Sequence, residues 1–167
     1  MLEERKVLKM GFMKGYGSQR NAAMHLGCSE ALISKVVSRE RDLAPDLMPK
    51  ASKTHLIIGI SVAEDATGYS CLSYIEGDRH PQTMIRRVEK EDAEADAALR
   101  KLPLMLLDKH TGADLTQEER EHATLTGWEL CDRIRADLNL VAELDDRYQL
   151  GLVSYLTERK RPLAAAR

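Results

Sequence analysis

The stretch from Ser18 to Val37 constrains this chain more than any other. Two short apolar-periodic runs, residues 19–26 and 30–38, are each preceded by a serine and are separated by Gly27. Ser18 and Ser29 predict helix N-caps, because a serine hydroxyl can accept from one of the N–H groups that a helix start leaves without a partner. Gly27 predicts the turn, since it reaches a positive φ without a side-chain penalty. Helices crossing steeply need a small residue at the crossing, and Ala23 stands there. Ile33 and Val36, three apart, give the second helix an apolar edge, with Leu26 and Leu32 completing a small core. The opposite face, Glu30, Ala31, Ser34, Lys35 and Ser38, is polar or small, so it can enter a major groove.

The spacing of Gln19, Ala23, Gly27, Ile33 and Val36 resembles the helix-turn-helix of the lambda-repressor and Cro superfamily. The resemblance implies that Gln19 contacts phosphate or supports the base readers, and that Glu30, Ala31, Ser34 and Lys35 lie where that family reads bases. Glu30 can accept from cytosine N4 or simply complement its helix N-terminus. Ala31 can touch a thymine methyl or nothing, and Lys35 suits phosphate better than a base. Lys35, Arg39 and Arg41 can hold phosphates, which would make binding salt-dependent. The candidate DNA-binding set is Gln19, Arg20, Ser29, Glu30, Ala31, Ser34, Lys35, Ser38, Arg39 and Arg41. After this motif come a linker, an apolar segment and Ala66-Thr67-Gly68-Tyr69, an order similar to phage regulatory proteins of the CII type. That similarity implies a prophage transcription factor of lysogeny genes whose helical C-terminal part assembles subunits.

The remaining sequence also reads as helix. Residues 2–14 form an expected first helix, stopped by Gly15-Tyr16-Gly17. Residues 46–60 are apolar and partly helical. Ser61 and Glu64 have capping-box spacing, which predicts a short helix beginning there and breaking near Thr67 and Gly68. Gly77-Asp78-Arg79-His80-Pro81 is the expected domain boundary. Residues 83–102 carry a sparse stripe of Ile85, Val88, Leu99 and Leu102; Pro103 interrupts, and residues 104–107 are apolar. Thr116 and Glu119 form a second capping-box pattern. The longest helical pattern follows it, with Trp128, Cys131, Ile134, Leu138, Val141, Leu144, Tyr148, Leu152 and Tyr155 stepping by three or four. That stripe either packs on residues 85–107 or faces a second subunit. Arg159, Lys160 and Arg161 suit a helix C-terminus, Pro162 ends it, and residues 163–167 are an expected disordered tail.

The reading is an all-α fold. Residues 1–80 are the expected DNA-binding domain and 81–167 a helical oligomerisation region, pairing as a homodimer or homotetramer through residues 116–160. Charge agrees: residues 1–55 hold ten Lys/Arg against six Asp/Glu, and the rest fifteen against twenty-one. Three dispersed cysteines, Cys28, Cys71 and Cys131, argue against a disulfide framework. With no signal-type segment and no run long enough to span a membrane, a cytoplasmic protein away from membranes is expected. The five histidines pair with no cysteine at ligand spacing, so no metal or other cofactor is expected. Neither a Walker lysine pair nor a nucleophile–histidine arrangement can be argued, so no catalytic residue is assigned and no enzyme is expected. The acidic run at 89–96 reads as a solvated face. Two other functions remain open at this level. One is a phage packaging component of the small terminase type. The other is a partner-binding helical protein whose helix-turn-helix has lost DNA affinity, with Glu30 and Glu40 near the groove face.

Overall fold

A computed structural model of the chain describes residues 5–158. Residues 2–4 of the expected first helix, Arg159 to Pro162 and the 163–167 tail lie outside them. The described residues are all-helical, with no strand among them. The helices are α1 (Lys6–Tyr16), α2 (Gln19–Leu26), α3 (Glu30–Val37), α4 (Met48–Ser52) and α5 (Leu56–Thr67), then α6 (Pro81–Leu99), α7 (Leu102–Met105), α8 (Gln117–Tyr148) and α9 (Leu152–Glu158). Single 3₁₀ turns lie at Ser70–Leu72 and Gly112–Asp114. None of these helices is long and apolar enough to cross a membrane. Two compact units divide the chain: one holds the described residues up to Tyr74 and from Val141 onward, the other Ile75–Leu140.

The first unit is built around Leu8 and Phe12 of α1, Ala22, Ala23 and Leu26 of α2, Ile33, Val36 and Val37 of α3, and Ile58 of α5. α1 and α5 approach closely through glycine. A Cβ on Gly11 would stand 2.7 Å from Ile58 Cγ1 and 3.2 Å from the Ile58 backbone nitrogen. α5 begins earlier than its sequence pattern suggests. The His55 ring caps it, Nδ1 accepting from the Ile57 N–H at 3.2 Å. Ser61 therefore sits inside α5, buried, and not at a helix start. The physical reason is burial: Ile57, Ile58 and Ile60 are all in the core, and burying them as one helical face requires the helix to include them. Gly68 closes the helix with φ +71°, its N–H bonding to Glu64 O at 2.8 Å.

Residues 141–158 belong to this same unit. Ala142 and Glu143 are buried. Asp146 pairs with Lys14, and its Oδ1 accepts from His55 Nε2 at 3.0 Å. Because Nδ1 of that ring accepts from the Ile57 N–H, Nε2 is the nitrogen that donates to Asp146.

In the second unit, α6 and the first part of α8 meet through small and polar side chains. Ala98 O accepts from His122 Nε2 at 3.2 Å, and Arg133 reaches Asp92 at 2.7 Å and Asp96 at 3.6 Å. Asn139 is fully buried. Its Oδ1 accepts from the Ile75 N–H at 2.9 Å and from Arg79 at 3.1 Å, and Arg79 also donates to Ile75 O at 2.7 Å. The expected capping box at Thr116 and Glu119 is formed, at 2.7 and 3.2 Å. A further one, at Thr111 and Asp114, closes the turn before it.

Five positions of the long stripe face solvent, while Leu138, Val141, Leu144 and Leu152 are half-buried. Trp128 is 65% exposed, and Cys131, Ile134, Tyr148 and Tyr155 are exposed as well. The face of α8 that is buried within the second unit carries Thr126, Ala136 and Asn139. α6 offers Ala95, Ala98 and two aspartates there, so short and polar side chains fit opposite it.

Candidate nucleic-acid interface

Both serines cap as their spacing predicts. Ser18 Oγ accepts from the Asn21 N–H at 3.0 Å, and Ser29 Oγ from the Leu32 N–H at 3.2 Å. Gly27 ends α2 in the left-handed region at φ +71°. The Cys28 N–H returns to Ala23 O at 2.9 Å, which satisfies a carbonyl at the end of the helix. Ala23, Leu26, Ile33 and Val36 are all buried, together with Ala22 and Val37. These apolar contacts fix how α3 is rotated about its own axis, and so decide which of its side chains meet solvent.

The outward side chains are those of Glu30, Ala31, Ser34 and Lys35. Arg20 near the start of α2 and Arg39 and Arg41 after α3 are exposed too. None of Arg20, Lys35, Arg39 and Arg41 enters an ion pair among the described residues, so their charge is available to an anion. Arg39 takes a positive φ of 63°, which turns the chain sharply away from α3. Gln19 is half-buried, beside the Ser18 cap. Ser29 is exposed, with its hydroxyl committed to the cap. Ser38 is half-buried at the C-cap, and its hydroxyl donates to Lys35 O at 3.1 Å and Glu40 Oε1 at 2.9 Å. Within the site, then, Glu30, Ala31, Ser34 and Lys35 form one exposed helix face, while Ser29 and Ser38 mark its two ends.

No family model matches this chain, and no curated protein or solved structure does. The candidate interface therefore rests on its own geometry.

Three supports were not legible in the motif. Asn21 Nδ2 donates to Tyr16 O at 3.1 Å, tying α2 to the end of α1. Tyr16 shares a hydrogen bond of 2.6 Å with Thr54, and its ring lies 5.3 Å from that of His25. Burial raises the Tyr16 phenol pKa, against the lowering effect of the Thr54 bond. The Arg5 N–H reaches Val37 O at 2.8 Å and its guanidinium pairs with Asp42 at 2.6 Å, holding the end of α3 and the chain beyond it. The Tyr16–Thr54 and Arg5–Asp42 pairs are 38 and 37 residues apart, so no local spacing announces them, and the Asn21 bond back to Tyr16 lies outside the motif pattern.

Proposed function

We propose that this chain is a sequence-specific double-stranded DNA-binding transcriptional regulator of phage or prophage origin, related to the lambda-repressor and Cro type. It binds spaced half-sites as an oligomer. The observation that carries the reading is the outer face of α3: Glu30, Ala31, Ser34 and Lys35 point to solvent while Ile33 and Val36 lock the helix from behind. In such an arrangement the N-terminal part of the second helix lies in the major groove and the first helix crosses the backbone. Ser34 and Glu30 are the base-edge candidates, and Ala31 suits a thymine methyl. Arg20, Lys35, Arg39 and Arg41 hold phosphates, with Gln19 and the N-terminus of α2 beside them. One such unit reads few base pairs, so two-fold self-association through the region 116–160 supplies the second half-site. The reading implies a cytoplasmic protein.

The test is selection from a randomised duplex library, with Lys35→Ala and Ser34→Ala selected in parallel. A repeated half-site, weakened in the first variant and relaxed at one position in the second, is expected. A library that yields no enrichment even at low salt overturns the reading.

A further inference from the structure

We propose that the second unit is a self-association surface, on which the basic leucine patch at α7 of one copy lies against the acidic tryptophan face of α8 of another. The inference rests on the oligomer in the proposed function, not on its DNA contacts.

Two exposed apolar patches within Ile75–Leu140 motivate it. The first is at the short helix α7. Leu104 is 81% and Leu107 78% exposed, and Arg100 and Lys101 precede them, exposed and in no ion pair among the described residues. The second is on α8. Glu121, Leu125 and Trp128 follow at i, i+4 and i+7, which puts them on one helix face. All three side chains are exposed. Glu121 accepts from Gln117 Nε2 at 2.7 Å but meets no cation among the described residues.

Leaving these leucines and the tryptophan in water is unfavourable, and clustered exposed apolar side chains mark interaction surfaces. Their charges say what covers them. The leucine patch carries Arg100 and Lys101, with Asp108 after Leu107 lying 3.7 Å from Lys109, so its balance is basic; the tryptophan face carries the Glu121 carboxylate. Like patches brought together would place like charges side by side, whereas the two different patches attract. A second copy carries both. A two-fold axis then makes every contact twice, the leucine patch of each copy on the tryptophan face of the other. The four apolar side chains form the centre, with Trp128 the type of large anchor that dominates interface energies. Arg100, Lys101 and Glu121 form the polar rim.

The chain contains one tryptophan, so its emission reports this contact directly. The full chain is followed by light scattering and tryptophan emission over a dilution series without DNA. Association is expected to shift the emission of Trp128 to the blue, with the shift lost on dilution to monomer. Lys101→Glu and Glu121→Lys are each expected to weaken association roughly tenfold, and the double variant to recover most of it. Leu107→Glu should abolish it. All of these positions are exposed, and circular dichroism of each variant shows that its helices are intact. A chain that stays monomeric at every concentration, or associates equally well in all variants with red-shifted emission, overturns the proposal. Duplex binding, measured separately, keeps the two readings apart. A monomer that still binds duplex sinks this inference and the oligomer in the proposed function but leaves DNA binding standing, and an intact dimer that binds none sinks the DNA reading alone.

Discussion

At the level of single residues, the proposed function gives Lys35 a positioning role and Ser34 a reading role, and their variants separate the two. If the proposed function holds, Lys35→Ala removes one phosphate contact, so duplex affinity should fall on all sequences and the slope of log affinity against log salt should shrink by about 1. Ser34→Ala should instead relax the preference at one base pair, costing about 1–3 kcal/mol of discrimination there. Titration of matched and mismatched duplexes at several salt concentrations checks both. Stability has its own residues. Asn139→Ala would strip the Ile75 N–H and the Arg79 guanidinium of a buried acceptor, so a loss of about 1–3 kcal/mol is expected in denaturant unfolding. The caps Ser18, Ser29 and Thr116 were legible because capping is local: donor and acceptor lie within three residues. Ser61 misled for the same reason. A serine followed three residues later by glutamate has the same spacing inside a helix as at its start, and burial of Ile57 and Ile58 upstream decides which it is.

At the level of elements, the α1–α5 contact is the tightest feature of the first unit. Gly11→Val would drive side-chain atoms into Ile58, including its backbone nitrogen, which cannot rotate away. We expect a loss of about 1–3 kcal/mol or more, with a lowered Tm, because overpacked cores respond by shifting backbone. Helix existence was readable from periodicity, since a 3.6-residue repeat of apolar positions is a property of the sequence alone. Which face of a long helix is buried was not. The apolar stripe of α8 attracts attention by its hydrophobicity, yet Thr126, Ala136 and Asn139 are the buried ones; Thr126 meets Ala98 O of α6, and Asn139 meets Ile75 and Arg79 ahead of α6. Backbone acceptors such as Ala98 O select polar partners there, and no periodicity of α8 encodes them.

At the level of the whole molecule, the two units draw on segments far apart in the chain, and residues 141–158 belong with the N-terminal helices. Asp146 is the fastening that can be tested by pH. Burial acts to raise its pKa, but Lys14 and His55 beside it outweigh burial and hold the carboxyl below the ordinary range. The unfolded chain therefore binds the proton more readily than the folded one. Stability contributed by Asp146 is complete above the ordinary carboxylate range and is lost as pH falls through the depressed folded value. In denaturant unfolding over an acid series, the parent chain should lose stability more steeply than Asp146→Asn, which should start lower and vary less. Equal slopes would show that the carboxylate is not what fastens this segment.

The sequence by itself determined the all-helical class, the serine caps, the Gly27 turn, the capping box at Thr116 and the division of α3 into a buried and an outward face. All of these follow from interactions within a turn or two of helix. Only the tertiary structure decided that His55 starts α5, that Asn139 is a buried acceptor for Arg79, that Asp146 meets Lys14, and that Trp128 faces water. The Asn139–Arg79 and Asp146–Lys14 meetings span 60 and 132 residues of chain; the His55 cap is local, but burial of Ile57 and Ile58 selects it, and the packing of whole helices decides all four rather than the spacing of residues along one.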